Sequence, residues 1–190
     1  MAPPFLLALT FMPRQGLNIA VPAKKSSPTA NVAEPKASRP RMPKGYGVPK
    51  AMKGSLPWSW AEKRLVESHN YFIATVRPDR RPHVMPVWCI WLDNACYFST
   101  GADSRKAINL ASNPNCVICN EDAAEAVIVE GTARKLPTDE IPAAAFDVYL
   151  TKYGWDLDPV RGPVFKLTPG VVFAMPEKQF PAGATRWTFE

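Results

Sequence analysis

Only two histidines, His69 and His83, occur in 190 residues, and neither sits in a nucleophile-elbow or Cys-His pattern. A base-activated Ser or Cys nucleophile is therefore not expected. The ten glycines form neither a phosphate-binding loop nor a dinucleotide fingerprint. Cysteine is scarce too, at Cys89, Cys96, Cys116 and Cys119. Cys116-Val-Ile-Cys119 has the gap of a zinc pair, but residues three apart on a strand point to opposite faces and no second Cys or His pair follows, so no metal site is expected. A chain this long does not need disulfide staples, which points to reduced thiols and a cytoplasmic protein. No run approaches the roughly 18 apolar residues of a membrane span, and the apolar stretch 5–12 lacks the basic flank of a signal peptide, so no membrane association is expected.

The charge is uneven. Residues 1–53 hold nine Lys or Arg against one acid, while 54–190 hold fourteen against sixteen, so the arm is +8 and the body −2. A nucleic-acid surface would have to be the arm, which lacks the aromatic interleaving that stacks on bases; nucleic acid is not an expected partner. The same arm holds nine of the 21 prolines and few apolar residues, a composition that predicts disorder over 1–40. One domain is expected over 41–190.

Within that domain, apolar spacing predicts a helix over 58–68, with Trp58, Ala61, Leu65 and Val66 inward. Strands are expected at 71–77 and 83–92, joined by the turn Pro78-Asp79-Arg80-Arg81, with Pro86 marking a bulge, an edge or a point of ligand approach. Asp93-Asn94 predicts a two-residue hairpin turn into a strand over 95–100, placing Trp91 opposite Cys96 and Cys89 opposite Phe98. A helix over 104–112 buries Ile108 and Leu110. Strands at 116–119 and 125–136 follow, then a helix over 139–152 capped by Thr138, with Ile141, Ala145, Val148 and Tyr149 on its apolar face. Strands at 163–168, 170–176 and 185–190 complete the chain. Without βαβ alternation, the expected class is mainly β (α+β), a small antiparallel split β-barrel with peripheral helices.

One anion site stands out. Thr100, Ser104, Arg105 and Lys106 lie where a strand ends and a helix begins, so hydroxyls, two cations and free backbone N–H groups converge. Met85, Pro86, Val87 and Trp88 are expected to line a flat apolar slot beside it.

The runs ATVRPDRRPHVMPVW (74–88), YFSTG (97–101) and SRKAINL (104–110), with LPWSWAEKRL (56–65) and TRWTF (185–189) outside them, resemble the pyridoxamine-phosphate oxidase-like, flavin- and deazaflavin-binding split-barrel superfamily. The resemblance implies a homodimer with cofactor at the subunit interface, and an oxidoreductase moving hydride between non-covalently bound FMN, or alternatively coenzyme F420, and a small organic substrate. It implies that His83, Val84, Met85, Pro86, Val87 and Trp88 lie along the ring system. Ser99 and Thr100, with Ser104, Arg105 and Lys106, would hold the ribityl chain and phosphate, and Trp187 would come from the second subunit. Arg186 is expected to meet an acidic substrate or cofactor tail. A flavin- or haem-binding sensor without turnover is the alternative. Two positions depart from the family pattern. Arg80 replaces a turn glycine and must turn left-handed or change the turn, and Cys89 replaces a glycine where bulk would face the ring.

Overall fold

The computed structural model describes residues 34–189. Nine strands and three helices follow in order: β1 Lys36–Ser38, α1 Trp58–Glu67, β2 Tyr71–Val76, β3 Pro82–Val87, β4 Cys89–Leu92, β5 Ala95–Ser99, α2 Arg105–Ser112, β6 Asn115–Asn120, β7 Glu125–Lys135, α3 Ala143–Tyr153, β8 Val164–Pro176 and β9 Thr185–Thr188. Of the stretch expected to be disordered, 1–33 lies outside the described residues. Inside it, Lys36–Ser38 pair with β9, and Arg39 clamps the arm by donating to the carbonyls of Ala51, Lys53, Ala182 and Ala184.

All pairings are antiparallel, in the order β1-β9-β8-β7-β6-β2-β3, with β5 on β8 and β4 on β5. Along one edge of β8, Val164–Leu167 pair with β5 and Val171–Ala174 with β9, while β7 runs along the other edge. The strand expected over 83–92 is divided at Trp88, because β3 pairs with β2 and β4 with β5. Pro82 and Pro86 remove donors from β3, and it ends the sheet as an edge. The architecture is mainly β within an α+β fold, with the sheet open between β3 and β4 and not closed into a barrel.

Sequence chemistry explains the turns. Asp93 and Asn94 take φ of 48° and 54°, the left-handed pair a two-residue hairpin needs, and the resulting register is the one the spacing predicts. Arg80 adopts φ 68°, so the missing glycine is met by a strained residue and not by a new turn, at a cost of about 1 kcal/mol. Gly131 faces a bulge of β8, where Gly170 has no partner on β7 and a Cβ on Gly131 would lie 2.1 Å from the Thr168 carbonyl oxygen. The strands expected at 163–168 and 170–176 run together as β8 through that bulge.

The sheet wraps around one interior, into which Ile73, Trp91, Phe98, Ile118, Val129, Leu167 and Trp187 project with α1 and α2. Trp58 packs edge-on to Trp187 at 5.4 Å and lies 5.9 Å from Trp91. The other face of β4 and β5, with Ile90 and Tyr97, is covered by Ala145 and Tyr149 of α3. Three helices depart from their predicted faces. In α1, Val66 is exposed while Trp58, Ala61 and Leu65 are buried. In α2, Asn109 is fully buried while Ile108 is 42% exposed. Thr138 begins only a short 3-10 turn, since Pro142 holds Ile141 extended and α3 starts after it, leaving Val148 exposed.

Candidate functional site

The turn from β5 into α2 is built by hydroxyls. Ser104 caps α2 by accepting from the Ala107 N–H, and Thr100 Oγ1 donates to Ser104 Oγ at 3.0 Å. The cap leaves Arg105 exposed and Lys106 half-buried on the first turn, where two cations oppose the helix dipole. Arg77, at the end of β2, joins them around His83. None of Arg77, Arg105 and Lys106 is in an ion pair among the described residues. Partial burial and the charges of Arg77, Lys106 and Arg105 hold His83 below the usual imidazole range. Burial likewise pulls the Lys106 ammonium down.

Behind His83 runs a buried polar line. Asn109 Nδ2 donates to Thr75 Oγ1 at 2.9 Å, and that hydroxyl lies 3.4 Å from His83 Nδ1. Arg77 Nε and Asn109 Oδ1 are buried without a partner in the described structure. Unpaired cations with an orphaned guanidinium nitrogen form a cradle that suits an anion of several oxygens.

The residues expected to form one slot are divided between two faces. His83, Met85 and Val87 stand opposite the inward row Thr75, Ile73 and Tyr71, whereas Val84 and Pro86 share the outer face with Ala74 and Phe72. That outer face continues through Val117, Ile128, Val171 and Phe173, a largely apolar surface interrupted by the exposed Glu130 and uncovered among the described residues, with a groove of about 500 Å³ at Ala74, Val117 and Val171.

Trp88 lies between β3 and β4 and stacks on Tyr153 at 4.8 Å, the rings 8° from parallel. The Tyr153 hydroxyl accepts from the Cys89 N–H at 2.8 Å and donates to its carbonyl at 2.7 Å, taking the place of a strand partner at the opening of the sheet. Lys152 also donates to the Cys89 carbonyl, to the Tyr71 hydroxyl and to Val66 O at the end of α1; burial lowers its ammonium to about 8. Cys89 itself is fully buried in the core, so the bulk expected to face a ring is turned inward. Ser99 Oγ donates to the carbonyls of Gly162 and Pro163, tying β5 to the loop after α3.

Trp187 is not part of this chain's cradle. It is 1% exposed, consumed by the Trp58 and Trp91 cluster, because β9 turns it into the sheet interior. Arg186 lies on the opposite side of β9, donating to Thr188 Oγ1 and Ser38 Oγ, away from Arg105 and Lys106. Within one chain, then, the structure brings together His83, Ser104, Arg105, Lys106 and Thr100, with Trp88 and Ser99 adjoining through Thr100. Thr75, Arg77, Asn109 and Tyr153 join the site from outside the expected set. None of Thr75, Asn109 and Tyr153 carries a local sequence signal; Asn109 reads only as a polar residue of a short amphipathic helix.

The pyridoxamine 5'-phosphate oxidase family matches residues 61–174. Among solved structures, a conserved hypothetical protein of Mycobacterium tuberculosis is similar with a TM-score of 0.55 at 19% identity, covering 65% of this chain and 87% of its own. A NimC/NimA family protein from Clostridium acetobutylicum has a TM-score of 0.54 at 16% identity, with coverages of 72% and 96%. A haem-binding protein from Mycobacterium smegmatis has a TM-score of 0.53 at 19% identity, with coverages of 67% and 62%. At such identities the likeness is one of fold. No curated protein matches in sequence.

Proposed function

The chain belongs to the pyridoxamine 5'-phosphate oxidase family, and from that premise we propose that it is an oxidoreductase that holds FMN, or alternatively coenzyme F420, without covalent attachment and acts on a small organic substrate. The observation that carries the reading is the cradle of uncompensated cations at Arg77, Arg105 and Lys106 around His83. Either cofactor ends its polyol in a phosphoryl group, and these residues fit one. Arg105 and Arg77 would offer planar forks, Lys106 a point charge, and Thr100 and Ser99 hydroxyls for the polyol. When bound, the cofactor supplies hydride transfer, while the protein supplies position and exclusion of water. The largely apolar outer face supports a homodimer that covers it, with a second copy bringing Arg186 nearer the cofactor. Four free thiols suit a reducing, cytoplasmic compartment, and no helix among the described residues is long and apolar enough to cross a membrane.

The test is a visible spectrum of the purified protein, followed by titration of protein freed of ligand with FMN and with F420, and light scattering of the same sample. The expected result is saturable binding of one of them, reversible bleaching by a reductant, and twice the chain mass. Binding of neither cofactor sinks the redox reading, and a haem Soret band favours the sensor. A monomeric mass removes the dimer.

The depressed His83 gives a pH prediction. Below about pH 6.5, the ordinary imidazole value, the unfolded chain takes up a proton that folded His83 resists, so this residue's contribution to stability falls as pH drops through that range. An anion in the cradle offsets Arg77, Arg105 and Lys106 and should raise the His83 pKa. Sulfate, which stays dianionic across this range, is expected to move the His83 ring titration to higher pH in NMR and to bind more tightly as pH falls. A His83 titration that sulfate leaves in place would put the anion elsewhere.

A further inference from the structure

Adjoining the cationic cradle, and sharing with it the Ser99 and Thr100 hydroxyls offered to the polyol, a cleft of about 200 Å³ lies between Trp88 and the loop that follows α3. A cavity of roughly 150 Å³ in a protein holds a benzene molecule, so this volume suits one six-membered ring with a substituent. Its walls combine three aromatic side chains, Trp88, Tyr149 and Trp155, with polar ones. Trp88 is held flat on Tyr153, whose two hydrogen bonds to the Cys89 backbone keep that support in place. Gly154 ends α3 with φ 64° and turns the chain outward to Trp155, which is 56% exposed. On the inner side Gly162 admits no side chain, since a Cβ would stand 2.8 Å from the Thr100 carbonyl oxygen.

The charges at this cleft oppose those of the cradle. Arg161 is already engaged, bonded to Asp158 at 3.2 Å and lying 5.9 Å over the Trp155 ring. Asp156 is in no ion pair among the described residues, so the lining carries one uncompensated negative charge. Thr100 lines the cleft and also donates to Ser104, the cap of the helix that carries Arg105 and Lys106. An anion-selecting end and an aromatic, acidic end therefore share one rim.

We propose that the cleft between Trp88 and Trp155 is a substrate subsite for a single flat ring that is neutral or cationic. Indole faces attract cations and stack on flat rings. The free Asp156 carboxylate repels anions, which the cradle draws to the other end. The subsite rests on the redox reading for its place in turnover, while ring binding can be measured without it.

The experiment uses the full chain freed of cofactor, with N-methylpyridinium and benzoate as probes of matched size, read by ligand-observed NMR and by tryptophan fluorescence. Saturable binding of N-methylpyridinium is expected, with benzoate weaker by about fivefold or more. Trp155→Ala and Asp156→Asn should each weaken the cation about threefold or more. Both side chains are exposed, so melting temperatures should stay with the wild type. The proposal is overturned by absence of saturable binding, by benzoate binding equally well, or by unchanged affinity in Trp155→Ala. Ring binding by a protein that takes neither FMN nor F420 would end the redox reading and keep the subsite; cofactor binding with no ring binding would do the reverse.

Discussion

Replacing Arg105 and Lys106 together by alanine is expected to weaken cofactor binding by about 3 kcal/mol, roughly a hundredfold, and to leave the fold as stable as before or slightly more so. The two halves come from the same geometry. Each side chain offers a charged hydrogen bond to a phosphoryl oxygen, worth about 1.5 kcal/mol or more. Neither forms an ion pair within the described chain, and both sit on the first turn of α2, where positive charge opposes the helix dipole. They also repel Arg77 and, with burial, hold His83 below the usual imidazole range. Removing them relieves that conflict by a few tenths of a kcal/mol. Thermal melting and cofactor titration should therefore move in opposite senses. A loss of stability would mean the cations serve the fold, and unchanged affinity would mean the phosphate binds elsewhere.

That conflict is legible in the amino-acid sequence, because Ser-Arg-Lys opening a helix after an aromatic strand breaks a local rule for no structural gain. Most strands are legible there as well. Alternation along Tyr71–Val76 and the Asp93-Asn94 turn set faces and register through short-range chemistry that no distant contact has to correct. The features that sequence patterns do not reveal depend on distant partners. Lys36–Ser38 lie in a stretch with no apolar pattern and become a strand because β9 offers an open edge and Arg39 finds four carbonyls. The division at Trp88 follows from Tyr153, 64 positions away from Cys89 in sequence, bonding where a strand would have paired. Asn109 is polar yet belongs to the interior, since its partner Thr75 is on another element. A single slot over 83–88 requires consecutive strand residues to share one surface, whereas the pleat sends them alternately to two faces.

Trp187→Ala is expected to cost about 3–5 kcal/mol of stability, a fall in melting temperature of roughly 10 °C, because it empties a packed site. Family resemblance places Trp187 against a cofactor held by the partner, a role that needs an accessible ring. Here the ring is 1% exposed, edge-on to Trp58 at 5.4 Å, within a cluster that includes Trp91. The sheet explains the choice. Thr185 and Trp187 alternate inward along β9 while Arg186 and Thr188 alternate outward, so if β9 contributes to a neighbouring site it does so through Arg186 and not through the indole. Trp187→Phe keeps an edge-on aromatic contact and should recover part of the loss, which guards against an alanine variant too unstable to assay. Arg186→Ala should leave melting nearly unchanged, since its hydrogen bonds go to half-exposed hydroxyls at 3.1 and 3.4 Å. Cofactor titration of the two folded variants then separates the roles. If Trp187→Phe loses affinity at wild-type stability, the indole serves the ligand after all; if Arg186→Ala alone loses affinity, β9 reaches a neighbouring site through its outward face.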